Sequence, residues 1–165
     1  VSHHNAQVSQ CVWRTPARIL DPAREVLGQF LDVATDSDNP TKAATFYTEA
    51  DDGLSQDWGH ASVFCNPPWS KTRPIRMWAA LAWQYAEDIP EGQLIFVSPA
   101  SVNSLWFHDF LAAAQAHCFP RGRVKYEMPE GFDQGDGATF DTCVTYFGPH
   151  RDTFRRAFRE VGWCP

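Results

Sequence analysis

The sequence predicts an α/β fold built on a single doubly wound, mostly parallel sheet with a late antiparallel strand, and three observations lead there. Short apolar runs such as Phe30–Ala34, Val63–Cys65 and Gln93–Val97 lack polar alternation and read as strands buried on both faces. Ile75, Trp78, Ala79, Ala82, Tyr85 and Ala86 recur at helical spacing. The two patterns alternate along the chain instead of segregating, which is the order that layers helices over a parallel sheet.

Taken in order, Asp21-Pro22 has the form of an N-cap followed by proline at the first helical position, which predicts a short helix through Leu27. Phe30–Ala34 is the first strand, a polar segment Asp36–Thr41 follows, and an irregular acidic stretch ends at Trp58. Val63–Cys65 is the next strand and Arg73–Glu87 the helix after it. Gln93–Val97 is the third strand and Ser104–His117 a second amphipathic helix. Val124–Glu127 and Thr142–Phe147 make a pair of late strands around a Gly- and Asp-rich segment, Met128–Ala138. Phe154, Ala157, Phe158 and Val161 give a closing helix over about 150–161, with Arg151, Arg155, Arg156 and Arg159 as its solvated face. The expectation is a single domain over 1–165, with its core at about 12–148.

A chain of 165 residues that is 44% hydrophobic can bury a core of enzyme size, and it carries no internal repeat. No apolar stretch is long enough to span a bilayer, and the start at Val1 has no secretory pattern. The five cysteines, Cys11, Cys65, Cys118, Cys143 and Cys164, are odd in number and mostly set in apolar runs, so they read as reduced core thiols in a cytoplasmic protein. Metal-binding spacings are absent, and a zinc site from His3, His4 and Cys11 is a weak reading; no metal is expected. A net charge of −6 argues against a nonspecific polyanion binder. It leaves room for local contacts at Lys71, Arg73 and Arg76 and at Arg121, Arg123 and Lys125, the first group following Trp69 directly. Oligomeric state is not encoded in any visible pattern, and a monomer is the simplest expectation.

Asn66-Pro67-Pro68-Trp69 carries the chemistry. An amino group on a planar ring is a poor nucleophile because its lone pair is delocalised, and two fixed acceptors that bend its N–H bonds out of plane restore reactivity. The Asn66 amide oxygen and the Pro67 carbonyl suit that task, provided neither is satisfied within the fold. Pro67 and Pro68 resist collapse into a hydrogen-bonded turn, and Trp69 offers a stacking face. A plain strand-ending turn has the same composition, but the buried run before the motif and the helix after it place it at the carboxyl end of a strand, where open α/β sheets bind ligands. The motif thus points to methylation of a planar amino group, and the natural methyl donor is S-adenosylmethionine, a sulfonium cation whose ribose and amino groups call for carboxylates at neighbouring strand ends. Asp32, Asp36, Asp51 and Asp52 are the candidates. Asp32 stands out because it interrupts an apolar strand, where a carboxylate needs a partner.

These residues resemble a known family. Trp13-Arg14-Thr15-Pro16, Leu31-Asp32-Val33-Ala34-Thr35-Asp36 with Asn39, Asp51-Asp52-Gly53-Leu54 with Trp58, Phe64–Trp69, Trp106-Phe107-His108 and Gly122–Lys125 occur in the order found in phage-type DNA N-6-adenine methyltransferases, the Dam-like family. The resemblance runs from about 12 to 148 and implies a Rossmann-like, S-adenosylmethionine-dependent enzyme acting on adenine in DNA in the cytoplasm of a bacterial or phage-infected cell. It further implies that Asn66 and Pro67 accept the amino group and Trp69 stacks the base. Thr15 and Pro16 would lie against the methionine end of the donor, Asp32 would be the acidic residue of the first cofactor strand, and Asp52 or Asp51 would sit near the donor adenine. Trp13 either covers the donor or staples onto the following helix.

The chain departs from that pattern in having no Gly-x-Gly turn after the first strand, a short link from there to the motif strand, and little length for a separate recognition domain. Met128–Ala138 and the basic clusters are then the expected DNA readers. Two rival functions share these features: methylation of glutamine side-chain amides in proteins, and a DNA-binding module of the same fold without activity.

Overall fold

The computed structural model describes residues 13–68, 70, 72–128 and 140–165. Ten helices and strands, joined by short helical turns, follow in chain order among them: α1 Ala17–Leu27, β1 Leu31–Asp32, β2 Thr45–Phe46, β3 Ser62–Cys65, α2 Ile75–Asp88, β4 Gln93–Pro99, β5 Ala116–Pro120, β6 Thr142–Phe147, α3 Arg151–Phe158 and β7 Gly162–Trp163. The strands form one seven-stranded sheet in the order β2-β1-β3-β4-β6-β5-β7. The pairs β1–β2, β1–β3 and β3–β4 are parallel, and β6 enters antiparallel between β4 and β5. The result is a mixed α/β, mostly parallel sheet compatible with a methyltransferase-like fold.

Alternating residues of the central strands feed two cores. Phe64, Ile95, Val97, Val144 and Tyr146 face α1 and α3, where Tyr146, Phe154 and Phe158 stack in series with centroids 5.1 and 4.5 Å apart. Val63, Cys65, Leu94, Phe96 and Cys143 face α2 through Trp78, Ala79, Ala82 and Tyr85. With both faces covered, all four residues of β3 are buried, which is why that strand reads as a continuous apolar run. Burial in the two cores pushes the Cys143 thiol up to about 12 and raises those of Cys65 and Cys118, so all three are inert packing groups. Cys11 lies outside the described residues, as do His3 and His4.

Several elements differ from the sequence reading. α1 starts at Ala17, and Pro22 sits inside it, not at its first turn. Burial of Ile19 and Leu20 with Ala23, Val26 and Leu27 extends the apolar stripe one turn earlier and offsets the hydrogen bond that Pro22 cannot make. The helix expected over Ser104–His117 is confined to about 105–111, two α-helical residues running into a π-helical turn, Phe107–Leu111, and its end is strand β5. Val124–Glu127 is not a strand; its one ladder contact is an antiparallel bridge between Glu127 and Arg14. β1 ends at Asp32 because the Asp32 side chain takes the Ala34 N–H at 3.1 Å and turns the chain. β2 and β7, two residues each, have no sequence signature of their own. α3 ends at Phe158, short of Val161. Met128–Ala138 lies, apart from buried Met128, outside the described residues.

The short link between β1 and β3 holds β2 and a single 3₁₀ turn, Gly53–Ser55. Gly53 is buried against the end of β1. A Cβ there would collide with the Val33 carbonyl oxygen, and the Gly53 carbonyl accepts the Trp58 indole N–H at 2.8 Å. Gly53→Ala should therefore cost about 2 kcal/mol by overpacking against backbone. Urea unfolding would show it as a lowered midpoint at unchanged slope, and an unchanged midpoint would remove this role.

Candidate active site

β1 lies between β2 and β3, so the chain leaves β1 to one side and returns on the other. The loops that follow β1 and β3 therefore diverge at the carboxyl ends of two adjacent parallel strands, and a crevice opens between them. Asp32 ends β1 in register with Phe64, and Asn66 begins the loop after β3 two residues further on. Asp32, Thr35 and Thr41 line the β1 side of the crevice, Asn66 the β3 side, and Arg14 and Thr15 cover it from the segment before α1.

The Asn66 side chain is oriented by that covering segment. Its Nδ2 donates to the Trp13 carbonyl at 2.9 Å and to Thr15 Oγ1 at 3.0 Å. A carbonyl can only accept, so the amino end of the amide must face Trp13 and the oxygen must face away. Among the described residues Oδ1 accepts no hydrogen bond, and neither does the Pro67 carbonyl accept one from a backbone N–H. Pro67 is buried and Pro68 half-buried. Trp69 and Lys71 lie outside the described residues.

The covering segment is itself fixed on both sides. Arg14 exchanges backbone hydrogen bonds with Glu127 at 2.8 and 3.0 Å, and Trp13 meets Tyr126 edge-on at 6.2 Å. The Arg14 guanidinium reaches across the crevice to Asp36 at 2.9 Å and Asp38 at 2.7 Å. Pro16 occupies the N-cap position of α1, with its carbonyl accepting from Ile19 and Leu20. Sequence assigns Arg14 no role beyond its place in the Trp13–Pro16 motif, and none to Thr41, whose hydroxyl donates to Asp32 Oδ2 at 2.6 Å. Thr41 had a signal: a carboxylate in an apolar strand demands a donor, and a polar segment follows within nine residues.

All four candidate carboxylates are engaged. Asp32 is buried against Ala34 and Thr41, Asp36 takes Arg14 and the Asp38 N–H, and Asp51 takes the N–H and hydroxyl of Thr48. Asp52, held at φ 57°, takes Ser55 at 2.7 Å and Arg73 at 2.5 Å. Those bonds hold the Asp51 and Asp52 carboxyls below their ordinary range. Arg73, read from sequence as a DNA contact, thus ties the loop after the motif to the acidic segment. Arg76 is exposed. Arg121, Arg123 and Lys125 are exposed too, alternating with buried Val124, Tyr126 and Met128, so they project from the segment that flanks the Trp13–Thr15 cover. Trp78 is a core residue and His108 is exposed. Among the described residues no group of three histidine, cysteine or acidic side chains is placed to hold a metal, and no helix is long and apolar enough to cross a membrane.

Comparison with known proteins bears on this arrangement. A family model described as DNA N-6-adenine-methyltransferase (Dam) matches residues 2–154. The chain is also similar to the putative methyltransferase YfdM of Escherichia coli (strain K12), with 39% identity over 64 residues that cover 34% of this chain and 69% of that protein.

Asp32 is the electrostatically unusual group of the crevice. Burial, with the Asp36 charge adding, outweighs the hydrogen bonds from Thr41 and Ala34 and raises its pKa from 3.8 to about 6. Because the folded value lies above the ordinary one, the folded protein holds this proton more tightly than the unfolded chain. The stability so gained is present below about pH 4 and is lost as pH rises through about 6. In Asp32→Asn the Oδ1 can still accept from Ala34, and Thr41 can turn its hydroxyl to accept from Nδ2. The melting temperature of Asp32→Asn minus that of the parent should climb between about pH 4 and 6.5 and then level off. A difference independent of pH would contradict the raised value.

Proposed function

Since this chain belongs to the DNA N-6-adenine-methyltransferase (Dam) family, we propose that it transfers a methyl group from S-adenosylmethionine to the exocyclic N6 of adenine in DNA. The observation that carries the reading is the Asn66 amide, pinned by its nitrogen so that its oxygen and the Pro67 carbonyl remain as acceptors at the carboxyl end of β3.

The chain's part in the reaction follows from those two oxygens. Each accepts one N–H of the adenine amine, drawing the nitrogen toward a tetrahedral shape and returning its lone pair to the nitrogen. Because the oxygens are positioned before substrate arrives, little reorganisation is needed at the moment of transfer. When bound, S-adenosylmethionine supplies an electrophilic methyl group on a cationic sulfur. The surplus proton on nitrogen leaves to water, so no side-chain base is required.

The proposed donor set carries four carboxylates, Asp32 at the end of β1 and Asp36, Asp51 and Asp52 in the segments that follow β1 and β2, and each retains acceptor capacity beyond its present bonds. Trp13 and Pro16, on the segment that covers the crevice, are proposed as donor contacts, with Asp36, Asp51 and Asp52 as the acidic partners.

Trp69 is assigned the stacking face for a base extracted from the duplex, a step costing a few kcal/mol. Arg76, Arg121, Arg123 and Lys125 are the exposed phosphate contacts, and Lys71 joins them from sequence. A sheet of Rossmann-like type, one domain and a cytoplasmic setting complete the proposal, the buried free thiols according with a reducing compartment.

Incubation with labelled donor and DNA of mixed sequence, followed by nucleoside analysis, tests the reading. Label should appear in N6-methyladenine; label in protein glutamine, or donor bound with no transfer, would overturn it. Asn66→Ala should lower turnover by about 100-fold or more while donor affinity changes little, since one acceptor of the reacting group is lost. Trp69→Ala should raise the KM for DNA, and Trp69→Phe should recover part of it through the smaller ring; equal losses in both would remove the stacking role.

A further inference from the structure

We infer that Thr15 is a positioning residue for the reacting amine, acting through Asn66 rather than on the methyl donor. The inference rests on the proposed role of Asn66 and assigns Thr15 a different duty from the donor contact suggested by sequence.

An asparagine side chain that presents its oxygen to a substrate faces a two-fold ambiguity, because rotation by a half turn presents the amino group, which would donate where acceptance is needed. Something must break that symmetry. Here two acceptors do so, the Trp13 carbonyl at 2.9 Å and Thr15 Oγ1 at 3.0 Å, both on a segment about fifty residues away in sequence. Flipping the amide would set Oδ1 against the Trp13 carbonyl, two acceptors in contact, and leave the Thr15 oxygen unsatisfied unless its hydroxyl turned. Thr15 is buried, with 9% of its surface exposed, so water is a poor substitute for its hydroxyl.

The threonine oxygen is itself well fixed. Pro16 follows it and limits its backbone to extended geometry, and the same proline heads α1, whose buried face anchors the segment in the core. On the other side, the Arg14–Glu127 backbone bridge and the Trp13–Tyr126 contact hold the segment against the chain that bears Arg121, Arg123 and Lys125. The oxygen aimed at the base is thus set by the segment that also borders the exposed basic residues, so base chemistry and backbone docking share one rigid support.

Thr15→Val removes the hydroxyl at nearly constant volume, and Thr15→Ser keeps it. With saturating DNA and donor, kcat of Thr15→Val should fall about tenfold, the scale of one lost hydrogen bond at a reacting centre, while donor affinity by calorimetry stays within about twofold and Thr15→Ser restores most of the rate. A loss appearing wholly in donor affinity, or one that serine does not rescue, would overturn the inference in favour of a donor contact or a packing role. The second measurement needs no activity. The side-chain NH₂ signals of Asn66, identified by their absence in Asn66→Asp, should exchange slowly with water in the parent and in Thr15→Ser and faster in Thr15→Val. Unchanged exchange in Thr15→Val would defeat the positioning role even if DNA methylation were absent, whereas absence of methylation with the expected exchange pattern would defeat the proposed function alone.

Discussion

The constraint on which the rest depends is the pair of hydrogen bonds that fixes the Asn66 amide to the segment before α1. An amide is electronically ambiguous, and an active oxygen requires that its nitrogen be occupied. The fold meets this by bringing residues 13–15 across the end of β3. That crossing needs α1 to pack on one face of the sheet, so the N-terminal apolar stripe of Ile19, Ala23 and Val26 serves the site although none of these residues touches it.

The sheet order supplies the crevice in the same indirect way. Placing β2 and β3 on opposite sides of β1 forces their loops apart at the carboxyl edge, where Asp32 and Asn66 stand. In place of a glycine-rich turn, the loop after β1 is shaped by side chains: Asp32 gathers the Ala34 N–H and the Thr41 hydroxyl, and Asn39 binds both the N–H and the carbonyl of Ala43. A buried carboxylate is a costly way to shape a loop, and burial raises its pKa in keeping with that cost. Gly53 does nearby what a larger residue could not, letting the acidic segment close onto the Val33 carbonyl.

Charge is distributed by local pairing rather than by a broad field. Arg14 and Arg73 are spent within the protein, on Asp36 with Asp38 across the crevice and on Asp52 in the acidic segment. Arg121, Arg123 and Lys125 face solvent near the cover, set on one side of an extended segment by the burial of Val124, Tyr126 and Met128 on the other.

What the sequence determined by itself is local: two prolines after a buried apolar run stop a strand, and a helical apolar stripe predicts α2 whatever its surroundings. Tertiary structure decided what depends on partners distant in sequence. Ala116–Pro120 is a strand because β6 and β7 pair with it, β2 exists because β1 offers an edge, and Pro22 is tolerated in α1 because the core rewards an earlier start. The direction of the Asn66 amide and the engagement of Arg73 belong to the same class. Such pairings join residues from 14 to more than 50 positions apart, and no local propensity records them, since each partner's own neighbours are compatible with other contacts.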